Sequence, residues 1–427
     1  MDEKLLQYIW RHKIFDIADY KTVSGISMSI VSVGIENHDS GPDFVNAKIK
    51  IGDTLWAGCV ELHIYSSDWE KHNHQKDKAY ANVILHVVYE HNKDIYTPSG
   101  TIIPTFELKG LINHELINKY KIYMNSSLEI VCKNQFSEID TLHLFSWLDR
   151  LLIERLEAKT IQIEQLLKKK IQNKEEVFYL YLAASFGFKT NVLPFSLLAE
   201  SLPLPCLAKQ KNNLLQLEAM LFGQAGLLPD IATDDYCENL KKEYQFLKRK
   251  FSLQPICKST MWKFAKMYPS GFPTIRIAQF AALMHQSSSL LSKMIKSEKV
   301  EDLMHLFSVK TSPYWKSHYR FGVSASRPME KNLGNSAISS LIINTVLPFM
   351  YAYSKWQEDE LLREKVMTFF EILPFENNTI VRKYIDLHPD LCNASHSQSL
   401  VQQYSNYCLS KQCLRCGIGL SLLKIIE

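Results

Sequence analysis

The chain of 427 residues contains no run approaching the roughly eighteen apolar residues that a membrane-crossing helix requires. Its opening, Met1-Asp2-Glu3-Lys4-Leu5, lacks the basic region and long apolar core of a secretory signal. There is no low-complexity tract and no repeat at a fixed period, which argues against a solenoid or an array. The net charge is only +4, so overall charge makes no case for nucleic-acid binding, and local patches would have to supply one. The nine cysteines are scattered, apart from one group near the C-terminus, and do not form a disulfide framework. A phosphate-binding loop is also missing: Gly223-Gln224-Ala225-Gly226 has no Lys-Ser/Thr ending and no strand before it. The expectation is a cytoplasmic protein with no membrane partner. With 46% hydrophobic and 22% charged residues, the composition is that of a soluble globular protein, long enough for two or three domains.

Ionisable residues are densest between Gly41 and His86. Gly41-Pro42-Asp43-Phe44 opens one apolar-alternating run, and Glu61-Leu62-His63 lies near the end of the next. If the two runs are antiparallel neighbours, both carboxylates reach one edge of a sheet. There they could hold a hard divalent cation such as Mg²⁺ or Mn²⁺ and activate water against a phosphodiester. Glu61 and His63 are two residues apart and should share a face, with Leu62 turned away. Asp68, His72, His74, Asp77 and His86 follow closely. Ser67 or Asp68 is placed to cap a short helix. His86 lies inside Asn82-Val83-Ile84-Leu85-His86-Val87-Val88-Tyr89, which reads as a strand buried on both faces. A single histidine in such a setting is usually a hydrogen-bonded core residue. A cluster of them carries more weight, because perturbed ionisable groups gather at functional sites.

Leu5, Leu6, Ile9 and Trp10 recur at helical spacing. Ile26 to Gly34, Phe44 to Ile51, Leu55 to Ile64, Val83 to Tyr89 and Ile102 to Leu108 are strand-like. Gly52-Asp53-Thr54 is short enough to join a hairpin. From about Asp140 the pattern turns helical, beginning with a long amphipathic helix over Leu142 to Lys170 that ends in Lys168-Lys169-Lys170. Further helices are expected over Glu176 to Phe186, Leu214 to Phe222, Asp234 to Lys250, Ile275 to Gln286, Ala337 to Tyr353 and Glu358 to Phe370. The fold class is therefore α+β and multidomain. Residues 1–135 are expected to form an α/β domain, and residues 140–427 a helical domain ending in the cysteine group.

That group, Cys408, Cys413 and Cys416, has the spacing C-x4-C-x2-C. Two thiolates three residues apart can reach one tetrahedral Zn²⁺, with Cys392 or His396 as a fourth ligand. Four cysteines could equally hold an iron–sulfur cluster, although zinc is the first expectation. Buried reduced thiols are the plain alternative. Arg276, Arg320 and Arg327 are candidates for phosphate contact, since guanidinium matches phosphate geometry; solvation or an internal ion pair is the simpler role for each.

Three sets of residues carry a resemblance to a bacterial family catalogued as a domain of unknown function, number 2851. The first comprises Gly41-Pro42-Asp43-Phe44, Trp56-Ala57-Gly58-Cys59-Val60-Glu61-Leu62-His63, Ser67-Asp68-Trp69 with His72, His74, Asp77 and Tyr80, and Val83 to Val88. The second is Glu218 to Leu228 with Phe272-Pro273-Thr274-Ile275-Arg276. The third is Gln402-Gln403-Tyr404 leading into the cysteines. The resemblance covers nearly the whole length and brings no activity with it. More distantly, Pro42-Asp43 and Glu61-Leu62-His63 resemble the PD-(D/E)XK nuclease superfamily in order, spacing and strand setting. That resemblance implies a restriction-endonuclease-like core and metal-dependent cleavage of nucleic acid. Asp43 and Glu61 would be metal ligands, and Glu3 on the first helix an added carboxylate. His63 stands where the superfamily usually has lysine, and it would orient or deprotonate water from there. The alternative is a non-catalytic scaffold that binds nucleic acid or protein, with the acid and histidine cluster as a polar core or a structural zinc site.

Overall fold

Helix α1, Glu3–His12, begins where the Asp2 side chain accepts the Leu5 N–H and ends at Lys13, whose φ of 53° takes the chain out of the helix. Its apolar face of Leu5, Leu6, Ile9 and Trp10 is buried. A mixed sheet follows, made of β1 (Met28–Ser32), β2 (Ile35–Glu36), β3 (Phe44–Ile51), β4 (Thr54–Tyr65), β5 (Val83–Glu90) and β6 (Thr105–Glu107). Spatially the order is β1-β3-β4-β5-β6, with β2 also paired to β3. The β1–β3 and β3–β4 pairs are antiparallel, and the β4–β5 and β5–β6 pairs are parallel.

The computed structural model describes the chain except residues 17–19, 38, 98–99, 170–172, 288, 389 and 424–427. Pro98 and Ser99 of the expected turn, Lys170 at the end of the long helix and the last residues of the C-terminal tail lie outside the described residues.

As expected from Gly52-Asp53-Thr54, β3 and β4 form a hairpin in which Ile51 pairs with Thr54. Gly52 sits at the turn with φ 58°, a conformation glycine adopts without steric cost. The hairpin is not regular. Between Phe44 and Ala47 the register slips, with Asn46 at φ 58° as the extra residue, which is how a bulge bends a strand and re-aims its side chains. A second slip lies between β4 and β5 at Cys59 and Val60. Both irregularities fall just before Glu61. The crossover from β4 to parallel β5 holds helix α2 (Asp68–Lys71) and two 3₁₀ turns, His74–Lys76 and Lys78–Tyr80. β5 is buried on both faces through Val88, as its unbroken apolar run indicates.

The chain separates into two compact units, Met1–Trp147 with Gln403–Glu427, and Leu148–Gln402. The division after Trp147 falls inside the helix Thr141–Lys169. The cysteine segment, however, belongs to the α/β unit rather than closing the helical one.

The second unit is built from helices including Lys174–Phe186, Leu214–Gln224, Asp235–Lys250, Pro273–Gln286 and Glu360–Ile372. Their large buried side chains, among them Phe186, Phe222, Phe280 and Trp315, make one core. Buried Glu218 is fully served within it, accepting from the Tyr236 hydroxyl at 2.5 Å, the Ser312 hydroxyl at 2.9 Å and the Trp315 indole at 3.1 Å. Asn335–Gln357 is one continuous helical run with a π turn at Ile342–Val346. Its 23 residues and mean hydropathy of 1.3 would suffice to cross a membrane, although the sequence holds no unbroken apolar run of that length. In the structure 67% of its most apolar window is buried inside the protein, as in a core helix.

Candidate metal centre

Cross-strand pairing brings Asp43 and Glu61 together. Asp43 precedes the Phe44–Val60 pair, so its N–H donates to Glu61 Oε2 at 3.0 Å. In return the Leu62 N–H donates to Asp43 Oδ2 at 3.0 Å, and Gln7 Nε2 from α1 donates to Asp43 Oδ1 at 2.8 Å. Burial, and then the adjacent Glu61 charge, push the Asp43 carboxyl up to about 7. Glu3, in the first turn of α1, feels the same group. Its pKa is raised by burial, and the charges of His72, Asp68, Glu61 and His74 act on it as well.

The other Glu61 oxygen faces imidazoles. Oε1 lies 3.3 Å from His74 Nε2 and 3.7 Å from His63 Nε2. His63 Nε2 in turn lies 3.1 Å from His72 Nδ1. The donor atoms of His63, His72 and His74 all fall within 4.8 Å of one another, and among the described residues this is the one group of three so arranged. Tetrahedral ligands at 2.0–2.1 Å from an ion stand about 3.3 Å apart, close to the separations of His63 from His72 and of Glu61 Oε1 from His74, so the three imidazoles can share an ion and Glu61 lies against two of them. Three imidazoles and a carboxylate suit Zn²⁺, Mn²⁺ or Fe²⁺ better than Mg²⁺, which favours an all-oxygen shell.

Local structure explains the convergence. Glu61 and His63 project from one face of β4, as alternation requires. His72 caps the C-terminus of α2, Asn73 turns the chain with φ 63°, and His74 starts the next turn. Without that left-handed residue, two histidines so close in sequence would diverge. Trp69, fully buried, sets its ring edge against both His74 and His86, and His74 stacks on Tyr80 at 3.9 Å between centroids. His86 on β5 contacts His63 Nδ1 through Nε2 at 2.8 Å. Burial, with help from the neighbouring histidines, lowers His63 to about 3 and takes His86 well below its ordinary value. Both imidazoles are therefore neutral at pH 7, the form in which imidazole binds metal. His72 alone of the three is exposed, leaving one side of the cluster open to solvent.

Other sequence candidates have local jobs. Asp68 Oδ2 accepts the Tyr65 N–H and its Oδ1 pairs with Lys71; burial opposes its charge, and these contacts outweigh it to hold the carboxyl below its usual range. Asp77 accepts the Ala79 N–H and caps a 3₁₀ turn. The three arginines belong to the helical unit. Arg276 is half-buried over the Phe188 ring and donates to Gln279, with desolvation lowering it to about 10. Arg320 lies over the rings of Phe264 and Phe272, and Arg327 is exposed. None of them is brought to the histidine cluster by the contacts that build it.

The C-terminal thiols are buried in the α/β unit, except that Cys408 is partly exposed. Cys392, expected as a fourth ligand, is exposed in the helical unit, where its N–H donates to His396 Nδ1 at 3.3 Å. The cysteine that joins the cluster instead is Cys132, which lines a small cavity with Cys408, Cys413 and Cys416. No local signal marked it, since it lies far away in sequence. Burial raises the Cys413 thiol to about 12 and that of Cys416 to about 11.

Residues 3–379 match the family model described as Protein of unknown function (DUF2851), and the chain belongs to that family. No curated protein and no solved structure matches it.

Proposed function

We propose that the chain is a metal-dependent hydrolase of nucleic-acid phosphodiester bonds, with Glu61, His63, His72 and His74 as the donor set. The convergence of the three imidazoles, with Glu61 Oε1 against those of His63 and His74, carries the reading. Support for a phosphodiester comes from the placing of Pro42-Asp43 and Glu61-Leu62-His63 on adjacent antiparallel strands behind a helix, the arrangement expected of a restriction-endonuclease-like core. An ion held there supplies Lewis acidity, polarising a phosphoryl oxygen and acidifying water.

The donor set changes the roles assigned from sequence. His63 is neutral and enclosed, so it cannot provide the positive charge of a lysine, and it serves as a donor atom rather than as the base. Glu61 divides its carboxylate, with Oε2 taking the Asp43 N–H and Oε1 facing the cluster. Asp43 then stands beside the donors rather than among them. A cation beside it favours its charged form, and the carboxylate can then take a proton from water and return it. Lys76 and Lys78, exposed on the segment that carries His74, supply local positive charge for a polyanion.

A scaffold with a structural zinc site is the second reading, because four protein ligands fill a tetrahedral ion. The exposure of His72 favours the first, since a catalytic centre needs an open side. The deciding experiment measures bound metal and then screens cleavage of single-stranded, duplex and branched DNA and RNA with Mn²⁺, Zn²⁺ and Mg²⁺. Cleavage that is lost in Asp43→Asn while bound metal is retained supports the hydrolase. Stoichiometric metal with no cleavage of any substrate supports the scaffold. Failure of the folded protein to bind any of these ions overturns both.

A further inference from the structure

Gln403 has its amide orientation dictated by a tryptophan. The indole Nε1–H of Trp147 can only donate, and it lies 2.7 Å from Gln403 Oε1. The Gln403 amino group is thereby turned the other way, onto two sulfurs: Cys416 Sγ at 3.0 Å and Cys408 Sγ at 3.5 Å. The Gly419 N–H adds a further donor to Cys416 Sγ at 3.4 Å. Neutral thiols are weak acceptors. N–H groups collected on sulfur are instead a feature of thiolates that bind metal, where they tune the centre.

Cys132, Cys408, Cys413 and Cys416 surround one cavity beside Gln403 and Tyr123. Several local features hold the segment in this form. A π turn ends the helix at Cys408, and Lys411 reverses the chain with φ 49°. Lys411 Nζ then donates to the carbonyls of Met124 and Ser126, fastening the turn at the C-terminus of the helix His114–Asn125, a few residues before Cys132. Gly417 and Gly419 permit the close approach: a Cβ would lie 2.7 Å from the Trp147 ring at the first and 2.4 Å from the Cys413 carbonyl oxygen at the second.

The spacing of the sulfurs indicates what they hold. Thiolates on a single zinc ion at about 2.3 Å stand about 3.8 Å apart and leave no void between them. No three of these cysteines have sulfurs within 4.8 Å of one another, since the one such group among the described residues is the histidine trio. Four sulfurs that line one cavity, set wider than a single ion needs, fit a polynuclear centre in which each thiolate takes its own iron better than they fit one zinc ion.

We propose that Cys132, Cys408, Cys413 and Cys416 ligate an iron–sulfur cluster that joins the C-terminal segment to the α/β unit, with Gln403 donating to two of its thiolates. Nothing in this proposal depends on the histidine–carboxylate centre. The test uses the full-length protein purified without oxygen, assayed for iron, acid-labile sulfide and zinc, with its visible absorption recorded. About four iron and four sulfide per chain, with a broad charge-transfer band, is the expected result. Cys132→Ser should lose the band, while Cys392→Ser should keep it and its full iron content. Gln403→Leu retains all four sulfurs and should move the reduction potential of the cluster, a readout that simple packing would not change. Wild-type protein that holds stoichiometric zinc and no iron overturns the cluster. Wild-type protein that holds neither metal, even after anaerobic incubation with ferrous iron and sulfide, overturns the site altogether. Because the wild-type measurement decides the matter, misfolding of a cysteine variant would not obscure it.

Discussion

His63 and His86 meet nitrogen to nitrogen at 2.8 Å across two parallel strands, Nδ1 of the first to Nε2 of the second. Only one of the two nitrogens can carry the shared proton. If His63 Nε2 offers its lone pair to an ion, the proton belongs on His63 Nδ1, and His86 Nε2 accepts it. His86 then bears its own proton on Nδ1, a buried atom with no hydrogen-bond partner. His86 thus fixes the tautomer and the ring angle of His63 without touching the metal, as the outer partner of a ligating histidine does. Replacing it by phenylalanine, which fills similar space beside Trp69, should lower metal affinity about 10- to 100-fold. Competition with a chromogenic chelator measures this. Unchanged affinity would show that His63 is not a ligand.

The metal-free protein should carry a pH signature of Asp43. Its folded pKa, raised to about 7, lies above that of an ordinary aspartate. From about pH 4 to pH 7 the unfolded chain has released this proton while the folded chain still holds it. The Asp43 contribution to stability is therefore full below that window and is lost as pH rises through 7. Asparagine does not titrate, so Asp43→Asn should gain stability relative to wild type between pH 4 and pH 7, beyond any constant offset. Urea unfolding in a chelator at several pH values tests this. Saturating metal should shrink the difference, because a nearby cation restores the charged form.

The hairpin was open to sequence reading because its cues are local. Alternation in Phe44 to Ile51, the two-residue Gly52-Asp53 link and the run through Glu61 define β3, β4 and the pairing that brings Asp43 to Glu61. The long helices past residue 140 show themselves by period in the same way. The histidine trio was legible only as a cluster, because its convergence depends on the left-handed turn at Asn73, which nothing in Lys71-His72-Asn73-His74 demands. Cys132 was not legible at all. Spacing rules rank ligands by sequence distance, and they favoured Cys392 over a residue that reaches Cys416 only through the tertiary fold. The short strand β2, Ile35–Glu36, was missed for a related reason, since two residues have no period.

Gly58 should be intolerant of even one methyl group. A Cβ there would lie 2.5 Å from Ile84 Cγ2 and 2.6 Å from the Asn82 carbonyl oxygen, and the backbone oxygen cannot give way cheaply. Gly58→Ala should cost about 1–3 kcal/mol as β4 and β5 are forced apart. Glu61 lies just beyond the affected register slip, so metal affinity should fall together with stability. Thermal unfolding and metal titration on the same sample separate this outcome from a harmless substitution, which would change neither.

Lys159 supplies a pH effect of opposite sign in the helical unit. Burial, with the Arg155 charge adding to it, lowers this amine to about 7, while the Glu376 charge works in the other direction. Its Nζ donates at 2.8 Å to the Asn344 carbonyl, inside the π turn Ile342–Val346. Above pH 7 the folded protein holds Lys159 neutral, whereas the unfolded chain keeps its proton until about pH 10. Stability therefore rises with pH across that interval, and it is at its lowest below pH 7, where the folded state carries a buried charge. Methionine has a similar length and no charge. Lys159→Met should accordingly be stabilised most, relative to wild type, at pH 6, with an advantage that shrinks steadily by pH 9. Its loss of the bond to Asn344 is a constant cost at both values. Paired urea titrations at pH 6 and pH 9 decide the matter, and a difference that does not change with pH would mean that Lys159 keeps an ordinary pKa in the folded protein.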